Sequence, residues 1–205
     1  METIEVFKYL QEQIHTTIIA TNDENGLPVT CAIDLMDYDE NGLYFLTAKG
    51  KNFYKRLKAN GYLSLTGIKG ENTMSCVAVS VHGSVKKIGF ERLQRLLDKN
   101  PYMYEIYPTE QSRSALTAFC LYAGGGEFFD LSKKPIERFS FSFGGNIMQP
   151  NGYVITDKCI GCGKCLSVCP QNCIILDKKA KIMEVNCLHC GNCMQICPSK
   201  AVVRK

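Results

Sequence analysis

The chain has 205 residues, enough for one large domain or two smaller ones, and its 45% apolar and 21% charged content is that of an ordinary globular protein. Lys and Arg exceed Asp and Glu by 24 to 20 without gathering into a basic stripe, which speaks against nucleic-acid binding, and no apolar run approaches the roughly 18 to 20 residues that span a membrane. The opening Met1-Glu2-Thr3-Ile4-Glu5 lacks the basic region and apolar core of a signal peptide, so the twelve cysteines are expected to serve metal chemistry in a reducing, cytoplasmic compartment rather than disulfides.

In chain order, Glu2 to His15 carries Ile4, Phe7, Leu10 and Ile14 at helical spacing. Thr17 to Thr21 is a β-branched run ended by the turn sequence Asn22-Asp23-Glu24-Asn25-Gly26. Val29 to Leu35 predicts a second strand, and Asp39-Glu40-Asn41-Gly42 turns the chain into a third, Leu43 to Thr47. Lys51 to Asn60 predicts a helix with Phe53 and Leu57 on one face and Gly61 as its C-cap. Strands follow at Tyr62 to Ile68 and Cys76 to Val85, then a helix from Phe90 to Lys99 stopped by Pro101. Two short strands at about Ala118 to Leu121 and Glu127 to Leu131, and a last one from Ile136 to Phe143, complete an α+β pattern. Antiparallel strands in close succession with few helices suggest a small barrel.

Cys31, Cys76 and Cys120 stand alone in this region, whereas nine cysteines crowd between Cys159 and Cys197. That change in density, with the breaker clusters Gly144-Gly145-Asn146 and Pro150-Asn151-Gly152, divides the chain into domains at 1–146 and 147–205.

The second domain holds a repeated motif: Cys159-x2-Cys162-x2-Cys165-x3-Cys169-Pro170, then Cys187-x2-Cys190-x2-Cys193-x3-Cys197-Pro198. Three cysteines two residues apart let a tight loop wrap one iron–sulfur cube, and Gly161, Gly163 and Gly191 let the main chain come close. The fourth cysteine is carried to the other cluster. The expected ligand sets are therefore Cys159, Cys162, Cys165 and Cys197 for one [4Fe–4S] cluster, and Cys187, Cys190, Cys193 and Cys169 for the other. Structural zinc more often takes two Cys-x2-Cys pairs across a longer loop. So short a domain cannot build an adequate apolar core, so the clusters are expected to hold it together. The second motif lies 28 residues after the first, which sets Cys173 against Ala201 and marks it as a small apolar position rather than a ligand; His189 is expected to be an exposed loop residue. This segment closely resembles the bacterial two-cluster ferredoxins. Oxygen-labile clusters would suit an anaerobe.

The first domain shows its affinity in the order of its motifs: Ile18-Ile19-Ala20-Thr21, then Leu27-Pro28-Val29-Thr30, Leu43-Tyr44-Phe45-Leu46-Thr47, and Lys49-Gly50-Lys51-Asn52-Phe53-Tyr54 leading into a helix. This resembles the FMN-binding split barrels of the pyridoxamine 5′-phosphate oxidase-like superfamily, especially the short members akin to nitroimidazole-resistance proteins. The resemblance implies a homodimer with FMN at the interface. Carried over by position, Thr30, Cys31, Ala32 and Ile33 would line the flavin ring, and Thr47, Lys49, Lys51 and Asn52 would bind its phosphate. Hydroxyl, ammonium and backbone N–H groups where a turn leads into a helix are what a dianionic phosphate requires. A buried structural role is expected for Cys31, with Cys76 and Cys120 in strands of the core, and Tyr102, Tyr104 and Tyr107 in packing, a dimer contact or a substrate cleft. The oxidase proper has an Arg on the ring-binding strand where this chain has Val29-Thr30-Cys31-Ala32-Ile33, and no basic set matches the vitamin's phosphate. Synthesis of pyridoxal phosphate is not expected.

Together the two resemblances imply an oxidoreductase that relays electrons between two [4Fe–4S] clusters and FMN and reduces a small organic acceptor, flavin being suited to both one- and two-electron steps. The alternatives are a non-enzymatic electron carrier between larger redox enzymes and a flavin-free barrel that anchors a ferredoxin to a partner protein. No acid–base side chain stands out as catalytic.

Overall fold

The computed structural model describes residues 1–147 and 151–205, so Pro150 of the breaker cluster expected in the linker lies outside the described residues. By mutual contacts the chain forms two compact units. One comprises Met1–Lys69, Ala78–Gly126 and Phe141–Ile147; the other comprises Gly70–Val77, Glu127–Ser140 and Met148–Lys205.

The first unit begins with α1 (Thr3–Lys8), which passes into a π-helical turn over Tyr9–Ile14. The His15 N–H donates to the Leu10 carbonyl, five residues back, at 2.8 Å. The buried face is Val6, Phe7 and Leu10, which leaves Ile4 exposed instead of central. The strands are β1 (Thr16–Asn22), β2 (Pro28–Asp39), β3 (Gly42–Ala48), β4 (Tyr62–Lys69), β5 (Val77–Lys87), β6 (Leu116–Asp130) and β7 (Glu137–Phe143). Their order is β3-β2-β1-β4-β5-β6-β7, and β3 also pairs with β6, which closes a six-stranded barrel. Alternate residues fill its interior, among them Ile19, Leu43, Phe45, Leu65, Val79, Val81, Phe119 and Leu121. The helix α2 (Asn52–Asn60) buries Phe53 and Leu57 and ends at Gly61 in the left-handed region, whose N–H donates to the Leu57 carbonyl.

Outside the barrel, α3 (Phe90–Lys99) lays Leu93, Leu96 and Leu97 on Tyr44, Leu46, Ala118 and Cys120. The short helices α4 (Tyr102–Ile106) and α5 (Glu110–Arg113) follow, and Tyr102, Tyr104 and Tyr107 pack partly buried against the same layer. The strands foreseen on either side of Gly124-Gly125-Gly126 are one continuous β6. These glycines do not break the strand, because the β5 backbone approaches too closely for a side chain: a Cβ at Gly124 would lie 2.1 Å from the His82 carbonyl oxygen. Cys76 is not a strand residue; it caps a 3-10 turn just before β5 and is only half-buried.

In the second unit, the outer ends of β6 and β7 form a hairpin. Phe128 stacks on Phe139 at 5.1 Å, and Arg138 donates to both carboxylate oxygens of Glu127 at 2.7 and 2.8 Å. This hairpin holds the cysteine-rich segment: the Asn186 side chain donates to the Ile136 carbonyl at 3.0 Å, and the Ile136 N–H donates to the Gln171 side chain at 3.3 Å. The segment itself has a pseudo-twofold plan. The strand β8 (Tyr153–Ile155) pairs with β11 (Val202–Arg204), and β9 (Ile174–Leu176) pairs with β10 (Ala180–Ile182). Each motif ends in a one-turn helix, α6 (Lys164–Ser167) or α7 (Asn192–Ile196).

Candidate functional site

The repeated motif builds two cavities. One is lined by Cys159, Cys162, Cys165 and Cys197. The other is lined by Cys187, Cys190, Cys193 and Cys169, with Cys173 as a fifth cysteine. The motif folds this way because glycines with positive φ bend each loop: Gly161 lies at +69° and Gly191 at +82°, where a Cβ would meet the Lys178 carbonyl oxygen at 2.7 Å and the Tyr153 hydroxyl at 2.8 Å.

Backbone N–H groups reach the sulfurs. That of His189 donates to Cys187 Sγ at 3.4 Å, and that of Ala201 to Cys197 Sγ at 3.2 Å. At the two fourth-position cysteines, burial works against ionisation but is outweighed. Hydrogen bonds from the Cys173 and Gln171 backbone and from the Cys173 thiol hold Cys169 below its ordinary value; the Ser199 hydroxyl and the Ala201 and Val202 backbone do the same for Cys197. Burial pushes Cys165 and Cys193 up. Among the described residues no three His, Cys, Asp or Glu side chains converge on a single ion. Four cysteine sulfurs lining each cavity are the soft donor set that iron–sulfur clusters take. His189 departs from expectation. It is half-buried, not exposed, and its Nδ1 is buried without a hydrogen-bond partner.

In the barrel the flavin candidates divide. Register with β1 sets Thr30 opposite Ala20 and Ala32 opposite Ile18 on the exposed outer face, while Cys31 opposite Ile19 and Ile33 opposite Thr17 face the other way. Four consecutive residues of a strand cannot share one face. The phosphate candidates gather where β3 enters α2. Thr47 is 3% exposed, yet its hydroxyl has no hydrogen-bond partner. Lys51 is the N-cap residue of α2, and Asn52 begins the helix with its backbone N–H unspent by side-chain capping. Lys49 stands apart from this group, its ammonium donating to the Ser114 carbonyl at 2.7 Å.

Sequence reasoning missed Arg56. It lies four residues after Asn52, on the same face of α2, and its Nε donates to Thr21 Oγ1 at 2.8 Å. Asn52 and Arg56 line an open cleft of about 590 Å³ with Asn22, Lys55 and Asn60, and the acidic Asp23 and Glu24 stand on its rim. Burial pushes the Cys31 thiol up, while the charges of Arg56 and Lys51 pull it down, so both cations lie near this strand. The spacing from Asn52 was the available signal for Arg56. An orphaned hydroxyl, two cations and a helix N-terminus fit a phosphate monoester.

A six-stranded split barrel followed by a two-cavity cysteine domain defines a class of redox electron-transfer proteins, and the comparisons agree. The chain belongs to the pyridoxamine 5′-phosphate oxidase family, whose model matches residues 4–124, and the model of the 4Fe-4S dicluster domain matches residues 158–201. Among solved structures, the barrel is similar to a Clostridium acetobutylicum protein related to general stress protein 26 of B. subtilis, of the pyridoxinephosphate oxidase family (20% identity, 68% of this chain and 92% of that one, TM-score 0.54). It is also similar to a NimC/NimA family protein of C. acetobutylicum (17%, 67% and 91%, 0.56) and to PhzG of Burkholderia lata (15%, 73% and 93%, 0.56). These likenesses are of fold. No curated protein matches the chain. No helix among the described residues is long and apolar enough to cross a membrane.

Proposed function

We propose that the protein is an iron–sulfur flavoprotein that relays electrons between two [4Fe–4S] clusters and FMN and delivers them to a small organic acceptor. The observation that carries the reading is the crossed lining of the two cavities, three cysteines from one motif and the fourth from the other, on the same chain as a barrel of a flavin-binding family. When bound, the clusters supply one-electron steps and the flavin joins these to two-electron chemistry.

In this reading Cys159, Cys162, Cys165 and Cys197 hold one cluster, and Cys187, Cys190, Cys193 and Cys169 hold the other. Thr47, Lys51, Asn52 and Arg56 hold the FMN phosphate. Thr30 and Ala32 present the outer face of β2 to the ring, and Cys31 and Ile33 support the strand from its other side. Residues 1–146 form the flavin module and 147–205 the cluster module. The barrel pairs with a second copy through its open outer face, where Ile18, Tyr62 and Ile68 are 51%, 47% and 62% exposed. Lys49, engaged by Ser114, shapes the turn instead of contacting phosphate.

Anaerobic purification followed by iron, sulfide and flavin analysis tests the reading. The expected content is about eight irons, eight sulfides and one FMN per chain, in a particle that sediments as a dimer. Zinc in place of iron, or the absence of flavin after reconstitution, overturns it.

A further inference from the structure

The two cavities are related by the repeat but are not chemically equal. At the position equivalent to Cys173, the first cavity has Ala201, which is 0% exposed and offers only its backbone N–H, donated to Cys197 Sγ. Cys173 is 4% exposed, lines the second cavity, and has its Sγ 3.4 Å from Cys169 Sγ. Both sulfurs could donate in that contact when both are thiols. A cysteine bound to iron has lost its proton, so the direction is then fixed: Cys173 S–H donates and the Cys169 thiolate accepts.

We propose that the Cys173 thiol is a potential-setting hydrogen-bond donor to the cluster held by Cys169, Cys187, Cys190 and Cys193. The inference rests on the two-cluster reading above. A donor aimed at a ligand sulfur withdraws negative charge from it. The reduced cluster carries one more negative charge than the oxidised one, so the donor favours reduction and raises the potential. The Ala201 side chain has no proton to give; the side-chain donor beside that cluster's fourth ligand is instead the Ser199 hydroxyl, 3.6 Å from Cys197 Sγ. Cys173 is thus a positioning and tuning residue rather than a fifth ligand.

The test is an EPR-monitored redox titration of the full-length, cluster-loaded protein, comparing wild type, Cys173→Ala and Cys173→Ser. Alanine is the residue the other repeat already uses at this place, and serine keeps a hydrogen-bond donor. All three should retain about eight irons. In Cys173→Ala one midpoint should fall, so that the reduced-to-oxidised ratio at the wild-type midpoint drops at least threefold, about 28 mV at 59 mV per tenfold change. The second midpoint should not move, and Cys173→Ser should stay near wild type. Unmoved midpoints with all irons present overturn the proposal. So do equal shifts in the alanine and serine variants, which would point to packing or water entry. Loss of half the iron in Cys173→Ala would make Cys173 a ligand and overturn it also. Failure of wild type to hold two clusters is a separate result, which removes the underlying reading itself.

Discussion

Lys51→Ala offers a clean perturbation of the proposed phosphate site. Lys51 is the N-cap residue of α2 with extended backbone (φ −78°, ψ 145°), and its side chain makes no capping hydrogen bond. Alanine therefore keeps the backbone geometry and removes no cap. What disappears is one ammonium group beside a dianionic phosphate, a charge-assisted contact of about 1.5 to 3 kcal/mol. At about 1.4 kcal/mol per tenfold, the dissociation constant for FMN should rise about 10- to 150-fold. Riboflavin carries no phosphate and should lose less than about threefold. Flavin-fluorescence titration of the apoprotein with both ligands measures the difference. A second readout needs no flavin. The Lys51 charge lowers the pKa of Cys31 against the upward push of burial, so its removal should raise that pKa further. At a fixed pH below the pKa, less thiolate means slower alkylation of Cys31. Equal losses for FMN and riboflavin would refute the phosphate role, whatever the alkylation rate does. Arg56→Ala is the less clear experiment, since Arg56 also bonds Thr21 and lies 6.0 Å from the Phe53 ring.

The remaining expectations concern ligation and stability. Because the fourth cysteines cross over, Cys159→Ser with Cys197→Ser should leave about four irons per chain, whereas Cys187→Ser with Cys197→Ser should leave none; iron analysis giving the opposite pattern overturns the crossed ligand sets. Asn100 is 6% exposed and donates to the Met36 and Leu96 carbonyls at 2.9 and 2.8 Å. Asn100→Ala leaves two buried carbonyls short of a donor, so it should cost about 2 kcal/mol and lower Tm by about 4 to 8 °C by calorimetry; a change under one degree means the carbonyls find other partners.

Legibility in the sequence follows how local the determinant is. The cysteine loops were readable because ligand spacing, glycines and the following proline all act within a dozen residues. Helix α3 was readable to its ends, Phe90 and Lys99, because Leu93, Leu96 and Leu97 repeat at helical spacing and Pro101 stops the chain. The continuity of β6 was not, since Gly124 is required by the β5 backbone near His82, a contact with no local signature. The π-helical turn before His15 likewise depends on one wide hydrogen bond that periodicity does not register. On β2, the two-residue period of a strand places Thr30 and Ala32 on one face and Cys31 and Ile33 on the other, a division legible in the sequence. Arg56 follows from helical spacing once Asn52 is a candidate. The repeat marked Cys173 as different from Ala201, but only the fold shows its sulfur 3.4 Å from Cys169.

On the proposed reading, clusters and flavin would share a chain for a kinetic reason. Fusion would replace a bimolecular encounter with an intramolecular one, so reduced clusters would meet the flavin at high effective concentration without a strong docking surface. Removing residues 147–205 would be a poor test, because the hairpin at 127–140 loses partners with them. Asn186 bonds the Ile136 carbonyl, and Gln171 accepts from the Ile136 N–H. Disabling the clusters within the full chain avoids this. In Cys187→Ser with Cys197→Ser, both cavities lose a cysteine while the barrel sequence is untouched. With a low-potential protein donor such as reduced ferredoxin, flavin reduction should slow at least about tenfold, the scale on which a lost relay exceeds ordinary mutational scatter in a rate. FMN affinity should change less than about threefold. Rapid-mixing spectroscopy follows the broad cluster absorbance and the flavin bands separately, and in wild type the cluster bleaching should precede that of the flavin. If the flavin of the variant is reduced as fast as in wild type, the clusters are not its source of electrons. Turnover of a small organic acceptor by the wild-type protein alone then separates a reductase from a carrier: sustained turnover supports the reductase, and reoxidation only by another redox protein supports the carrier.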